Sequence, residues 1–330
     1  MVLSKSIPIL ILFLNSKSPI YLISLHETFI YVTYITNIAG VLMDNIYKLL
    51  VLESQKTRQL SLAMALVGGG GHLAPAFSIT EICNVLYNNV MRPKDRFVLS
   101  KGHGCLALYS ILVRKGLVPV SEIKKYCRTD GILGGHPDRN LIDGVEASTG
   151  SLGHGIVMAV GIAKGNKLQG KDSNVYCLIG DGEAQEGSVW EALLFAGNHS
   201  LNNLTVILDY NKLQGMGEVN NISSLEPLVD KGTAFGFETH SIDGHDVNQI
   251  RNALSTNSER PKLIIANTVK GKGIQFMEGV TIWHYKIPKG EQLFEACRSL
   301  GLNIQSNEDA IEALIQSGTE KLKMDSEYAQ

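Results

Sequence analysis

The 330-residue chain lacks several features that would settle its class at once. It has no surplus of one charge: thirty basic residues against thirty-two acidic ones leave a formal charge of -2. No overall positive field therefore advertises nucleic acid or an acidic membrane, and any charge-specific site must be local. There is no disulfide framework either. Cys83, Cys105, Cys127, Cys177 and Cys297 form no Cys-x-x-Cys pair and no His/Cys cluster at zinc spacing. An odd count suits a reducing, cytoplasmic compartment. Repeats at a solenoid period and long low-complexity linkers are missing as well.

Also absent is an uninterrupted apolar run of about 18 residues, the length a spanning helix needs. The first forty-two residues are apolar, but Pro19, His26, Glu27 and Asn37 interrupt them. Lys5 followed by "IPILILFLNSKS" has the outline of a secretory signal, and a membrane anchor is the other alternative. Met43-Asp44 is a natural start for the amphipathic segment that follows, so residues 1–42 are expected to be an upstream extension.

What is present is ample core material, 44% hydrophobic residues, arranged in a regular rhythm. Residues 45–67 carry apolar positions at three- and four-residue steps, which predicts a helix with one buried stripe, ended by four consecutive glycines at 68–71. "SITEICNVLYNNVM" reads as a second helix capped by Ser78, "DRFVLSKGHG" as a short strand entering a Gly-rich loop, and "SLGHGIVMAVGIAKGNKL" as a small-residue helix in close packing. Then "NVYCLIG", "NLTVILDY" and "PKLIIANTV" alternate as strands with helical "AQEGSVWEALLFAGNHS" and "DVNQIRNALSTN". Continuous apolar strands alternating with helices predict an α/β fold, doubly wound, with a mainly parallel sheet covered on both faces. Residues 43–286 form the expected domain; "GEQLFEACRSLGLN" and "NEDAIEALIQSGTEKLKM" predict two helices in a tail over 287–330.

In such sheets ligands sit beyond the carboxyl ends of strands. Gly180-Asp181-Gly182 follows one apolar run and Asp209-Tyr210-Asn211 follows another, so the two turns are expected to face one crevice. Gly-Asp-Gly alone would be an ordinary turn. Paired with a second strand end it suggests a clamp: Gly182 lets the backbone approach a phosphate, and Asp181, Asn211 and the carbonyl of Leu213 supply oxygens to a divalent cation.

The Asp-Gly pair with Asn211 thirty positions beyond Asp181 resembles the thiamine pyrophosphate motif, and "GDGEAQEGSVWEALLFA" is similar almost residue for residue to the pyrophosphate helix of transketolases. "GGHLAPAFSITEICNVLY", "DRFVLSKGHGCLALYSIL", "GGHP", "GVEASTGSLGHGIVMAVG", "IDGHD" and "TVKGKGIQFMEGVTIWH" resemble transketolase segments in the family's order, from Met43 to about His284. The resemblance implies thiamine pyrophosphate and Mg²⁺, with Ca²⁺ or Mn²⁺ as alternatives, and two-carbon ketol transfer from a ketose phosphate to an aldose phosphate. Asp181, Asn211 and Leu213 would hold the metal, while Gly182, Glu183, Lys270, His103 and His284 would meet the cofactor and Gly150 and Leu152 its aminopyrimidine. His72, His103, His136 and His284 match the histidines lining the family's substrate funnel, with His136 at the donor's terminal hydroxyl and His72 and His284 as proton shuttles. Glu186 and Glu191 match carboxylates that link two active sites across a subunit interface.

The family's pyrimidine-binding domain has no counterpart here, so the resemblance implies the N-terminal half of a split transketolase, active with a separate C-terminal subunit in an α2β2 assembly. The competing readings are half of another thiamine enzyme (a deoxyxylulose-phosphate synthase or the α subunit of a 2-oxo acid dehydrogenase) and a non-catalytic regulatory subunit. The chain departs from the family pattern at His154, commonly Gln, at Tyr285, commonly Gly, and near Ala74-Pro75, commonly Gly-Gly or Gly-Ala. Tyr285 bears on the shape of the substrate.

Overall fold

The computed structural model describes residues 25–304 and 306–322, with side chains from residue 43 onward apart from those of 307 and 308. The chain divides into two units, Met1–Asn45 and Ile46–Gln330. Helix α1 is Leu25–Gly68. It begins before the expected start because no proline stands between Leu25 and Asn45 to interrupt a helix. Of the expected extension at 1–42, residues 1–24 lie outside the described residues, as do residue 305 and the last eight residues of the expected tail. Among the described residues no helix is long and apolar enough to cross a membrane.

The second unit is built on five parallel strands: β1 (Arg96–Leu99), β2 (Val175–Gly180), β3 (Leu204–Tyr210), β4 (Glu238–Asp243) and β5 (Lys262–Asn267). Their order across the sheet is β1-β2-β3-β5-β4. The central strands β2 and β3 are buried throughout, as their unbroken apolar sequences require when both faces are covered. Alternation then sends successive side chains to opposite faces. Tyr176, Leu178, Ile207, Ile264 and Ala266 join one apolar core, and Val175, Cys177, Ile179, Val206, Leu208 and Ile265 join another.

The first core is closed by α1 from Leu50 on, α2 (Leu73–Phe77), α3 (Thr80–Val85), α4 (Cys105–Arg114), α9 (Val247–Ser255), α10 (Glu291–Ser299) and α11 (Asn307–Thr319). The second is closed by α5 (His154–Leu168), α6 (Gly187–Asn198), α7 (Val219–Ile222) and α8 (Leu228–Ala234). The doubly wound α/β arrangement and the two helices after residue 287 match the sequence reading.

One local expectation fails. Ser78 does not cap α3, whose N-cap is Ile79 with no side-chain cap bond. The Ser78 hydroxyl donates instead to Asp209 Oδ2 at 2.7 Å, because a carboxylate buried completely needs donors more than a helix end does.

The small residues of α5 have the steric purpose their composition suggests. A Cβ on Gly155 would fall 2.6 Å from the Cα of Ser100, so the helix lies directly on the loop leaving β1. Gly161, further along the same helix, would place its Cβ in open space. Gly155→Val should therefore cost about 1–3 kcal/mol or more through overpacking against backbone, whereas Gly161→Ala should gain about 0.5–1 kcal/mol from lost unfolded-state entropy. Urea denaturation of both variants checks this; equal effects would place α5 away from β1.

Candidate active site

All five strands run in parallel, so their carboxyl ends share one edge of the sheet. Gly180 of β2 is paired with Asp209 of β3, which sets Asp181 beside the Tyr210-Asn211 turn. A cavity of about 300 Å³ opens there. It is lined by His72, His103, His136, His284, Gly150, Leu152, Asp181, Gly182, Glu183, Asn211, Leu213 and Lys270, together with Pro75, Lys101, Gly180, Gln214 and Gly215. Separate stretches of sequence thus converge on one crevice. Glu186 and Glu191 are not in it; both are exposed, on the outer side of α6 and its N-cap. His154 is exposed at the start of α5.

The floor is an oxygen-rich turn. The Asp181 carboxylate accepts from the Gly182 amide at 2.8 Å and from the Lys212 amide, the latter brought round by the left-handed backbone of Lys212 (φ 66°). Asn211 donates its Nδ2 to Asp209 at 3.0 Å, which fixes its amide and leaves Oδ1 to accept from the Leu213 amide at 3.1 Å. The Leu213 carbonyl accepts from Lys270 Nζ at 3.0 Å. Burial, followed by the neighbouring Asp209, pushes Asp181 up to about 7. A carboxylate so desolvated is short of positive charge.

One carboxylate, one amide oxygen and one carbonyl form a hard, all-oxygen set that fits a divalent cation completing its shell with phosphate and water. Among the described residues no group of three or more His, Cys, Asp or Glu is placed to enclose a metal, so a protein-only cage is not what this floor offers.

Two lysines bound the same floor, both 1% exposed. Lys101 is ion-paired with Asp209 and donates to the Pro75 carbonyl at 3.2 Å. Lys270 has only the Leu213 carbonyl as its hydrogen-bond partner among the described residues, with no carboxylate in ion-pair contact. Burial, then the charge of Lys101, lowers it to about 8, which leaves it mostly cationic at neutral pH. A buried cation beside open volume fits an anion such as a diphosphate. The approach is clear of side chains: a Cβ at Gly182 would meet Gln214 at 3.1 Å, and one at Gly150 the ring of His136 at 3.3 Å.

Lys270 is aimed by residues away from the cavity. The Val269 amide donates to His245 Nε2 at 2.8 Å, and His245 Nδ1 contacts Glu81 at 2.9 Å. Arg58 completes the chain with a 2.7 Å bridge to Glu81. Burial would raise Glu81, but the Arg58 charge and the His245 hydrogen bond outweigh it and hold the carboxyl at about 2. The histidine of "IDGHD" is therefore a positioning residue. Glu183 is another: its carboxylate accepts from the Ser100 hydroxyl, the Gly153 amide at 2.9 Å and the Gly180 amide at 3.1 Å, tying three loops together.

Above the lysines stand four imidazoles. His72 is the hub, with ring centroids 5.4 Å from His103, 5.8 Å from His136 and 5.2 Å from His284. The His136 loop is held by Tyr109, whose hydroxyl donates to the His136 carbonyl at 2.8 Å, and by the Cys105 thiol on the Gly135 carbonyl. His284 Nδ1 is buried without a hydrogen-bond partner, an orphan polar atom at the cavity.

Burial first, then neighbouring positive groups, lowers His72 to about 4 and His284 to about 3; His103 is held well below its usual value and His136 is lowered by burial. The cluster is neutral at physiological pH. Each ring then keeps one donor and one acceptor nitrogen, which suits hydroxyl groups better than anions.

Sequence reading missed Lys101, which sits two residues before His103 inside "SKGHG". Its position directly after a strand was the available signal. Pro75 was noticed only as a departure, and Gln214 and Gly215 extend the turn that Asn211 begins.

The depressed histidines bear on stability. Below about pH 6.5 the unfolded chain takes up protons that native His72 and His284 refuse, so ligand-free stability should fall from pH 6.5 toward pH 4. Histidine Cε1–H shifts should show those two rings still neutral at pH 5. Titration of either near pH 6.5 would contradict the packing described.

The family model for "Transketolase, thiamine diphosphate binding domain" matches residues 53–328. An apulose-4-phosphate transketolase subunit from Actinobacillus succinogenes is 40% identical over 242 residues, covering 70% of this chain and 88% of that protein. A 6-deoxy-6-sulfo-D-fructose transketolase subunit of a Clostridium species is 40% identical over 228 residues, covering 66% and 83%. The solved transketolase of Campylobacter jejuni superposes with a TM-score of 0.73 at 31% identity, over 82% of this chain and 46% of that one. This chain therefore spans most of the length of the two subunits and less than half of the solved enzyme. It belongs to the transketolase family, as the N-terminal, thiamine diphosphate-binding part of the enzyme.

Proposed function

We propose that the chain is one subunit of a two-subunit transketolase that moves a two-carbon ketol unit between sugar phosphates. The observation that carries this is a neutral four-histidine cluster sharing one cavity with a buried Lys270, which makes no ion-pair contact with a carboxylate among the described residues, and with the oxygen set of Asp181, Asn211 and Leu213. Asp181, Asn211 and the Leu213 carbonyl would hold Mg²⁺, or Ca²⁺ or Mn²⁺ in its place. Gly182 and Lys270 would take the diphosphate, with Gly150 and Leu152 at the aminopyrimidine. Thiamine diphosphate, when bound, supplies the nucleophilic carbon and the electron sink for breaking and making a carbon–carbon bond.

The chain's own task is to bind, orient and move protons. His72 and His284 are assigned the proton at the donor's carbonyl oxygen, His136 the terminal hydroxyl, and His103 contacts to both cofactor and sugar. Their neutrality supports this: an imidazole that is not already protonated can take a proton and return it. Glu183, which lines the cavity, is assigned a cofactor contact, and its hydrogen bonds to Ser100, Gly153 and Gly180 also hold the loop of Gly150 and Leu152.

A partner subunit is supported by the cavity's rim. Met216 is 95% exposed and Ile282 65%, both within two residues of lining groups, and apolar surface of this kind is normally covered. Glu186 and Glu191, exposed beside α6, would face a neighbouring subunit. The partner is assigned the pyrimidine-binding half, in an α2β2 assembly. Residues 43–286 are assigned to the cofactor-binding domain and 287–330 to its helical tail. The two relatives are named for apulose 4-phosphate and 6-deoxy-6-sulfo-D-fructose, which supports substrates beyond the common pentose phosphates. Five free cysteines support a cytoplasmic setting.

Purified chain, C-terminal partner and their mixture should be assayed for thiamine- and Mg²⁺-dependent transfer to ribose 5-phosphate, with xylulose 5-phosphate and apulose 4-phosphate as donors. Activity is expected in the mixture alone; turnover by the single chain would refute the split-site reading. Asp181→Ala should abolish metal-dependent cofactor binding, and Lys270→Met should weaken it about 10–100-fold, the value of a charge-assisted hydrogen bond. Calorimetric titration of the assembled complex reads both, and unchanged binding in either variant would remove that residue from the site.

A further inference from the structure

Tyr285 follows His284 directly, and the chemistry proposed above gives it no task. It is 58% exposed and does not line the deep cavity, yet its ring stands edge-on to His72 with centroids 4.7 Å apart. Its hydroxyl makes no hydrogen bond among the described residues, so the side chain is not committed to holding the fold. Across from it is Gly70 of the four-glycine loop: a Cβ there would lie 3.2 Å from the Tyr285 ring and 3.4 Å from its hydroxyl. Ring and glycine backbone therefore close the same gap, outward of His72.

We propose that the Tyr285 ring sets the width of the substrate channel beside His72 and so selects among ketose donors by size, favouring the shorter ones. This rests on the transketolase reading of the same site. In this scheme a donor whose carbonyl reaches His72 and His284 runs its remaining carbons along Tyr285, which is next to His284 in the chain and in ring contact with His72. Swinging the ring aside to widen that gap gives up its edge contact with His72, a favourable aromatic pairing. A longer donor thus meets a steric cost at the mouth that a shorter one escapes. Tyr285 touches the substrate's tail in this scheme and takes no part in bond making, so its removal should be felt in KM.

The test uses the full chain assembled with its partner and three donors: xylulose 5-phosphate, fructose 6-phosphate and sedoheptulose 7-phosphate. Two quantities are read, kcat/KM with cofactor present and the dissociation constant by calorimetry with cofactor withheld. Tyr285→Gly should raise the preference for the seven-carbon over the five-carbon donor about tenfold, through KM and with the same trend in affinity. Tyr285→Phe, which keeps the ring, should leave that ratio within about twofold of the original. Gly70→Ala should shift the ratio when Tyr285 is present and not in the Tyr285→Gly background.

A ratio that Tyr285→Gly does not change overturns the proposal. The same unchanged ratio with looser association of the two subunits overturns it too, and assigns the ring to the partner contact. Failure of the transketolase reading looks different: the unaltered assembly would bind thiamine diphosphate and turn over none of the donors. The calorimetric series would then decide the role of Tyr285 alone.

Discussion

A single buried carboxylate organises this site. Asp209, at the end of β3 and without solvent exposure, is ion-paired with Lys101 and accepts from Ser78, Thr268 and Asn211. Burial would raise it, but the Lys101 charge and the hydrogen bonds outweigh that and hold it below its ordinary value. Each partner belongs to a different stretch of chain, and each stretch carries a site residue. Lys101 precedes His103, Ser78 ends the turn begun by His72, Thr268 leads to Lys270, and Asn211 is itself on the floor. An ion pair taken out of water costs more than it returns unless its remaining hydrogen-bonding capacity is filled. Filling it here fixes four loops at once, so the cost of burial is offset by geometry.

The electrostatics above this knot follow from it. Because Lys101 is ion-paired with Asp209, Lys270 is left facing the cavity without such a pair, and burial first, with the fields of both lysines and of neighbouring imidazoles added, keeps the histidines neutral. The site has three kinds of group in order: buried lysines, neutral imidazoles with donor and acceptor nitrogens, and the Tyr285 ring against His72. These groups need one another. Protonated imidazoles would repel the lysines, and without the lysines the rings would titrate nearer their usual range.

Much of this was legible in the chain. Apolar runs of five to seven residues ending in Gly-Asp-Gly and Asp-Tyr-Asn specify buried parallel strands whose ends turn toward ligand, because period and turn chemistry are local properties. The histidines were legible through their motifs. What was not legible is which polar residue serves which partner. Ser78 reads as a helix cap because the cap rule sees three neighbouring residues and not Asp209, 131 positions away. Glu183 reads as a cofactor contact, and nothing in its own motif shows that its carboxylate also accepts from Ser100, Gly153 and Gly180. Lys101 attracts no notice at all, since a lysine after a strand is ordinary until its carboxylate is known.

The sequence by itself determined the apolar strands, most of the helices, their alternation and the residue types the chemistry uses, since these depend on spacing along the chain and on side-chain character. It did not show β4, whose polar, part-exposed "ETHSID" carries no apolar run. Only the tertiary structure decided the strand order β1-β2-β3-β5-β4, the meeting of His72, His103, His136 and His284 from four loops, and the hydrogen-bond partners of His245 and Glu183. The physical reason is that hydrogen-bond partners and proton affinities are set by what burial brings within a few ångströms, and burial is a property of the folded whole.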